Sequence, residues 1–414
     1  MADPFSAGGF DPRMFQSVPL FRELAKVMSW SGGPVNWDLA SQTALALVAP
    51  SGQDTVSPRD VQQLSDAVRV AELWLDQVTA VPAVDGPVRA LGKADWARLA
   101  SSPEGLGVYV EPVAQGMTAA LGKGLGGLMP TELASVADAR GSNPLLQAMG
   151  ALGALLYGVQ IGTVAGHLAG QLLGTYDLGL PTLDPRTVGS VGDNAQRFAS
   201  DYGFDDTEFG YWLALREVAH RRLFAGVPWL RGHVAGLIRR FAEDAEFDPS
   251  AMLEQLGGLG FGPGGGRGGE SFDPEALSAA LEGSDAFRME PTTAQRATLE
   301  RLQALVAFVE GWSETCVHGA AGDKLAGLGR IEEAVRRRRA EKGPGERFLE
   351  QLIGLDLKPA DVRVGRSFCT AVIAARGQEG LDRAWQRAEH LPEPTELADP
   401  SRWLVRMAAA ELQE

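Results

Sequence analysis

Leu215-Arg216-Glu217-Val218-Ala219-His220 reads as a zinc-binding helix with one residue exchanged. The intact pattern, H-E-x-x-H, sets two imidazoles one helical turn apart on one face, with a glutamate beside them. The imidazoles hold the metal, and the glutamate activates the water bound to it. Here Glu217 and His220 keep the general-base and second-ligand positions, while Arg216 stands at the first. A guanidinium stays protonated and cannot ligate zinc. The chemistry turns on whether another side chain replaces that ligand or the metal is gone.

The residues around the motif predict a buried helix. Phe209-Gly210-Tyr211-Trp212-Leu213-Ala214-Leu215 gives it an apolar lead-in, and it ends near Phe224-Ala225-Gly226. Val227-Pro228-Trp229-Leu230 then opens another helix that carries His233. A bare E-x-x-H occurs by chance in many proteins, so its setting must carry the reading.

Helical patterning dominates elsewhere. Helices are expected over Asp11–Trp30, Asp38–Val48, Ser57–Val78, Glu111–Gly127 (with a break), Thr293–His318 and Asp323–Glu341, and a short one from Phe272. Alternating β-branched runs are scarce, and Val108-Tyr109-Val110 is the best strand candidate. The fold class is therefore mainly α, with little β structure. Gly141–Tyr176 carries no charged side chain, but Gln160, His167 and Gln171 share one helical face, which a lipid environment would penalise. A buried central helix is expected rather than a membrane span, with Gly162, Gly166 and Gly170 permitting close contact. Residues 1–10 read as a flexible N-terminus and 11–256 as an N-terminal helical part holding the motif. Residues 257–271 read as a glycine-rich flexible loop, and 272–414 as a C-terminal helical part packed on the first as one unit. Arg336-Arg337-Arg338-Arg339 is most simply a solvated helix face or a complement to the helix dipole.

Composition excludes several classes of function. Hydrophobic residues make up 45% and charged residues 22%, as in an ordinary globular protein. A net charge of −15 argues against nucleic-acid binding, which needs a basic surface. Two cysteines, Cys316 and Cys369, give no disulfide framework and are expected as reduced core thiols; the start lacks a secretory signal, so a cytoplasmic location is expected. No phosphate-binding glycine loop of the G-x-x-x-x-G-K-[ST] type and no G-x-S-x-G nucleophile turn is present.

The stretch REVAHRRLFAGVPWLRGH over 216–233 resembles the signature of a family of actinobacterial zincin-like proteins, named as hydrolases or zinc-dependent metalloproteases. The likeness extends to Gly33-Pro34-Val35-Asn36-Trp37, Gly174-Thr175-Tyr176-Asp177-Leu178 and Val309-Glu310-Gly311-Trp312. It continues through Arg337-Arg338-Arg339-Ala340-Glu341 with Gly343-Pro344, and through Gly354–Pro359, so it covers nearly the whole chain. The resemblance implies a zincin-like helical fold with its active-site helix at about 207–224. It also implies Glu217 as general base, His220 as a metal ligand and Glu310 as a third, carboxylate ligand. Glu243 and Glu246 are rivals for that last role.

Two resolutions of Arg216 follow. Glu310, Glu314 and His318 recur every fourth residue on one helix face, so His318 could replace the lost histidine and restore zinc. Alternatively, the Arg216 guanidinium occupies the cation's place and pairs with Glu310 or Glu217, with no metal bound. The first makes the chain an active zinc peptidase or hydrolase. The second makes it a catalytically impaired relative that keeps a cleft for a peptide, protein or small ligand.

Overall fold

The computed structural model describes residues 32–52, 56–128, 144–244, 292–341 and 359–412, together with positions 343 and 347. The helix expected over Asp11–Trp30, the glycine-rich loop at 257–271, the short helix from Phe272 and Glu246 lie outside the described residues. What is described is mainly helical, in the order α1 (Trp37–Val48), α2 (Pro58–Leu75), β1 (Val88–Leu91), α3 (Lys93–Ala100), α4 (Gly107–Leu128) and α5 (Pro144–Ala169). The order continues with β2 (Val188–Val191), α6 (Gly192–Tyr202), α7 (Asp206–Gly226), α8 (Leu230–Glu243), α9 (Thr293–Ala321), α10 (Leu328–Ala340), α11 (Pro359–Asp382), α12 (Pro394–Ala398) and α13 (Pro400–Glu411).

Local chemistry sets the helix ends. Ser57 and Asp60 form a reciprocal capping box at the start of α2, with Pro58 in the first helical position. The Asp205 carboxylate accepts from the Thr207 and Glu208 amides to begin α7. That helix stops where Val227 turns extended ahead of Pro228.

The central helix is α5, as the uncharged stretch predicts, and it packs along α1. Glycine makes that approach possible. A Cβ at Gly162 would sit 2.4 Å from the Ala40 carbonyl oxygen, and Gly158 and Gly166 face α1 in the same way. The contact row is thus 158, 162, 166, whereas Gly170 faces only its own helix. Among the described residues, no helix is long and apolar enough to cross a membrane.

Val108-Tyr109-Val110 is helical, inside α4, where Tyr109 and Val110 are buried. Packing decides against β propensity there. The two strands lie elsewhere and pair in parallel, with Ala90 opposite Ser190. Beside them, Gly174 makes an antiparallel bridge to Ser190.

Helix α7 runs through the middle of one continuous apolar core, against α2, α9 and β2. From Trp212 to Phe224 every residue is buried, so that part of the helix has no solvent face. Its two guanidinium groups after the motif turn to α2: Arg221 and Arg222 both bind the Glu72 carboxylate, and Arg222 also reaches Asp76 and the Val81 carbonyl.

Candidate functional site

Helices α7, α9 and α10 and the segment Leu173–Asp177 bring seven charged or titratable side chains into a water-poor cluster. From α7 come Arg216, Glu217 and His220, all buried. From α9 comes Glu310, with no exposed surface, and from α10 come Arg338 and Arg339. Asp177 and the backbone around Thr175 and Tyr176 complete it.

Glu310 is the hub. Its Oε1 accepts from Arg216 Nη2 at 2.8 Å and lies 3.2 Å from His220 Nε2. Its Oε2 lies 2.9 Å from Arg339 Nη1. Burial works to raise its pKa, but Arg216, Arg339 and His220 outweigh burial and hold the carboxyl well below the usual range. Asp177 is arranged in the same way. Its Oδ2 meets Arg338 Nη2 at 2.5 Å and accepts the Leu173 amide, and its Oδ1 is 3.6 Å from Arg216 Nη1. Burial would raise its pKa too, yet Arg338, Arg216 and Arg339 bring it down.

His220 is held by both ring nitrogens and by its face. Nδ1 lies 2.8 Å from the Arg216 carbonyl oxygen, which can only accept, so Nδ1 carries the proton. Ser313 Oγ stands 3.2 Å from the same nitrogen, and Tyr176 stacks on the ring at 5.4 Å. Burial lowers the imidazole pKa despite Glu310. The neutral ring therefore turns its Nε2 lone pair towards Glu310 Oε1. Two lone pairs converging on one point call for a cation, and Arg216 Nη2 supplies it to Oε1.

Glu217 faces away from that point. Its Oε2 accepts from Thr175 N at 2.9 Å and Thr175 Oγ1 at 2.5 Å, and its Oε1 accepts from Tyr176 N at 3.1 Å. Gly174 lies so close that a Cβ there would be 2.4 Å from Oε1. Burial pushes the carboxyl up to about 7, against the donors and Arg216, which pull it down. Every hydrogen bond of this carboxylate ties α7 to the Gly174–Tyr176 segment, through two amides and the Thr175 hydroxyl.

Zinc does not fit these residues. Both oxygens of Glu310 face guanidinium groups, and Glu217 is sealed by donors. His220 Nε2 alone presents a lone pair of the required kind. Among the described residues, no group of three or more His, Cys, Asp or Glu side chains is placed to hold a metal.

The structure thus brings together Arg216, Glu217, His220 and Glu310, and leaves the proposed replacement outside. His318 is exposed and pairs with Glu332 at 3.5 Å. Eight residues along a helix is a rise of about 12 Å, which carries it away from Glu310. Glu314, between them, is mostly buried and lies 3.6 Å from Arg366. Glu243 is exposed at the end of α8. The four-arginine run splits: Arg336 and Arg337 pair with Glu333 at the surface, while Arg338 and Arg339 turn inward. Those two, with Thr175 and Asp177, were not expected as site residues. The signal lay in the stretches around 174–178 and 337–341, which carry the family likeness.

The sequence pattern of the zincin-like metallopeptidases matches residues 35–404. Among solved structures, a protein from Chloroflexus aurantiacus, described as a candidate hydrolase with a novel fold, is similar with a TM-score of 0.58 and 24% identity, over 90% of this chain and 99% of that one. At that identity the likeness speaks for the fold alone. Among curated proteins, no sequence matches. The motif helix at the centre of the cluster lies within a family match that spans most of the chain, and the chain belongs to the zincin-like metallopeptidase family.

Proposed function

We propose that this chain is a non-hydrolytic member of its family, in which a buried guanidinium has taken the place of the metal and the scaffold serves to bind a ligand. One observation carries this reading: Arg216 Nη2 stands 2.8 Å from Glu310 Oε1, at the first-ligand position of the motif. A fixed cation there satisfies a carboxylate that would otherwise be buried unpaired. Glu217 supports the reading, because its oxygens are spent on Thr175 and Tyr176 rather than offered to a water. Helix α9, which follows the glycine-rich stretch in sequence, packs on α7 and α8, which precede it, and this supports reading the chain as one unit.

The rival reading, a zinc-dependent hydrolase with Glu217 as base, draws on the meeting of His220 and Glu310 at 3.2 Å. Metal analysis of protein made in zinc-replete cells separates the two. The expected result is wild type without stoichiometric zinc, and no peptidase activity that Glu217→Ala removes. Stoichiometric zinc that disappears in His220→Ala would overturn the proposal.

A further inference from the structure

Between α2, α6 and the N-terminal half of α7 a groove of about 660 Å³ opens over the face of the two-stranded sheet. We infer that it binds a peptide segment carrying basic and apolar side chains in alternation. The inference rests on the binding reading above and names the ligand class. The volume lies within the range of sites that take small ligands and side chains.

The hollow has a sequence cause. Ala90 and Ser190 are register partners in the sheet, and both line the groove, so its floor is made of small residues. Leu64, Phe209 and Leu213 are buried groove-lining residues and give it apolar walls. Ser190 is only 9% exposed, and its hydroxyl makes no hydrogen bond among the described residues. A nearly buried hydroxyl facing a hollow is a partner left for a group from outside.

The rim selects the charge of that group. Asp60, Asp66 and Asp206 line the groove with Arg59; Asp60 is turned to its capping box with Ser57 and Asp66 pairs with Arg69, which leaves Asp206 as the carboxylate open to a ligand. Asp206 has no ion pair or hydrogen-bonded side-chain partner among the described residues. With −15 on the whole chain, the potential at the mouth draws in a basic group and repels an acidic one. A peptide of alternating lysine and leucine meets Asp206 with an ammonium group and the apolar walls with its leucines.

The groove also follows the motif's own face of α7. Asp206, Gly210 and Leu213 line it, and the same helical stripe continues as Glu217 and His220. The Gly174–Ser190 bridge stands between its inner end and Glu217. The groove therefore lies beside the degenerate motif without opening onto it.

The test is fluorescence anisotropy of a dye-labelled peptide alternating lysine and leucine, titrated with the full chain. Gly210→Trp is the filling variant, because Gly210 lines the groove and a Cβ there meets nothing within 4 Å. Saturable binding is expected, weakened about tenfold or more by Gly210→Trp and several-fold by Asp206→Asn or by raised salt. Equal binding of the counterpart with glutamate for lysine, or unaltered binding to a Gly210→Trp protein of normal thermal midpoint, overturns the inference. Zinc in the wild type would instead strike at the non-hydrolytic reading and leave the groove's ligand class standing.

Discussion

Thr175 donates twice to one oxygen of Glu217, from its amide at 2.9 Å and from its hydroxyl at 2.5 Å. The residue in the general-base position of the motif is thereby an anchor for the segment that leads into β2. Glu217→Ala would leave the Tyr176 amide buried without an acceptor, and the Thr175 amide and hydroxyl with only the Gly189 and Thr187 carbonyls at 3.3 Å, at about 1–3 kcal/mol for each acceptor lost. A total loss of roughly 3 kcal/mol or more is expected in urea unfolding. A change below about 0.5 kcal/mol, typical of unimportant surface positions, would refute the anchoring role.

Arg216 and Glu310 are coupled. Either single change, Arg216→Met or Glu310→Gln, removes one partner of a buried pair, and each should lower stability by about 3–5 kcal/mol. The double variant should lose less than the sum, by at least about 1 kcal/mol, because residues in one ionic network are not additive. Additivity in a double-mutant cycle would show that Arg339 and Asp177, not the partner at 2.8 Å, carry the balance.

Glu217 gives stability an unusual pH dependence. Its carboxyl is raised from 4.5 to about 7 in the folded chain, so between those values the folded state holds a proton that the unfolded state has released. This contribution is complete below about pH 4.5 and is lost as pH rises through about 7; the shift corresponds to roughly 3 kcal/mol. Asp177 and Glu310 have lowered values and act in the opposite direction, their contribution fading as pH falls below the ordinary carboxylate range. Unfolding free energies of wild type and Glu217→Gln, measured from mildly acidic to neutral pH, should therefore differ by an amount that falls as pH rises. A constant difference would mean that Glu217 titrates normally.

The contact between α1 and α5 depends on missing side chains. Gly162→Val would force a Cβ to within 2.4 Å of the Ala40 carbonyl oxygen, and a loss of about 1–3 kcal/mol is expected from overpacking. The same change at Gly170, which lies past the end of α5 and faces no other helix, should be nearly neutral in thermal unfolding.

The motif helix, the central uncharged helix and the long helix bearing Glu310 were legible from local patterning: an apolar lead-in to the motif, a long stretch without a charged side chain, and helical spacing over Thr293–His318. The pairing of Arg216 with Glu310 was legible as one of two alternatives, since charge alone forbids a guanidinium from ligating zinc. The strands were not. Val88–Leu91 and Val188–Val191 are four residues long, one of them contains a glycine, and their pairing exists only through contact across the chain. Nor could a run of four arginines reveal which two turn inward, because that is decided by where Asp177 and Glu310 stand. His318 stands apart from Glu310, exposed beside Glu332, because a shared helix face does not place residues two turns apart at the same depth.

The cluster also sets an order of events in folding. Arg216 and Glu310 are 94 residues apart, and Arg338 and Asp177 are 161 apart, so each pair closes a long stretch of chain. Contacts of such separation repay their closure entropy only after the helices carrying them have docked. The charges are therefore expected to meet late, when water is already leaving the interface. Variants in the cluster should quicken unfolding while leaving the refolding rate almost unchanged. On the proposed reading, the guanidinium–carboxylate cluster is expected to act as a kinetic lock, holding the assembled helices shut long after the core has formed.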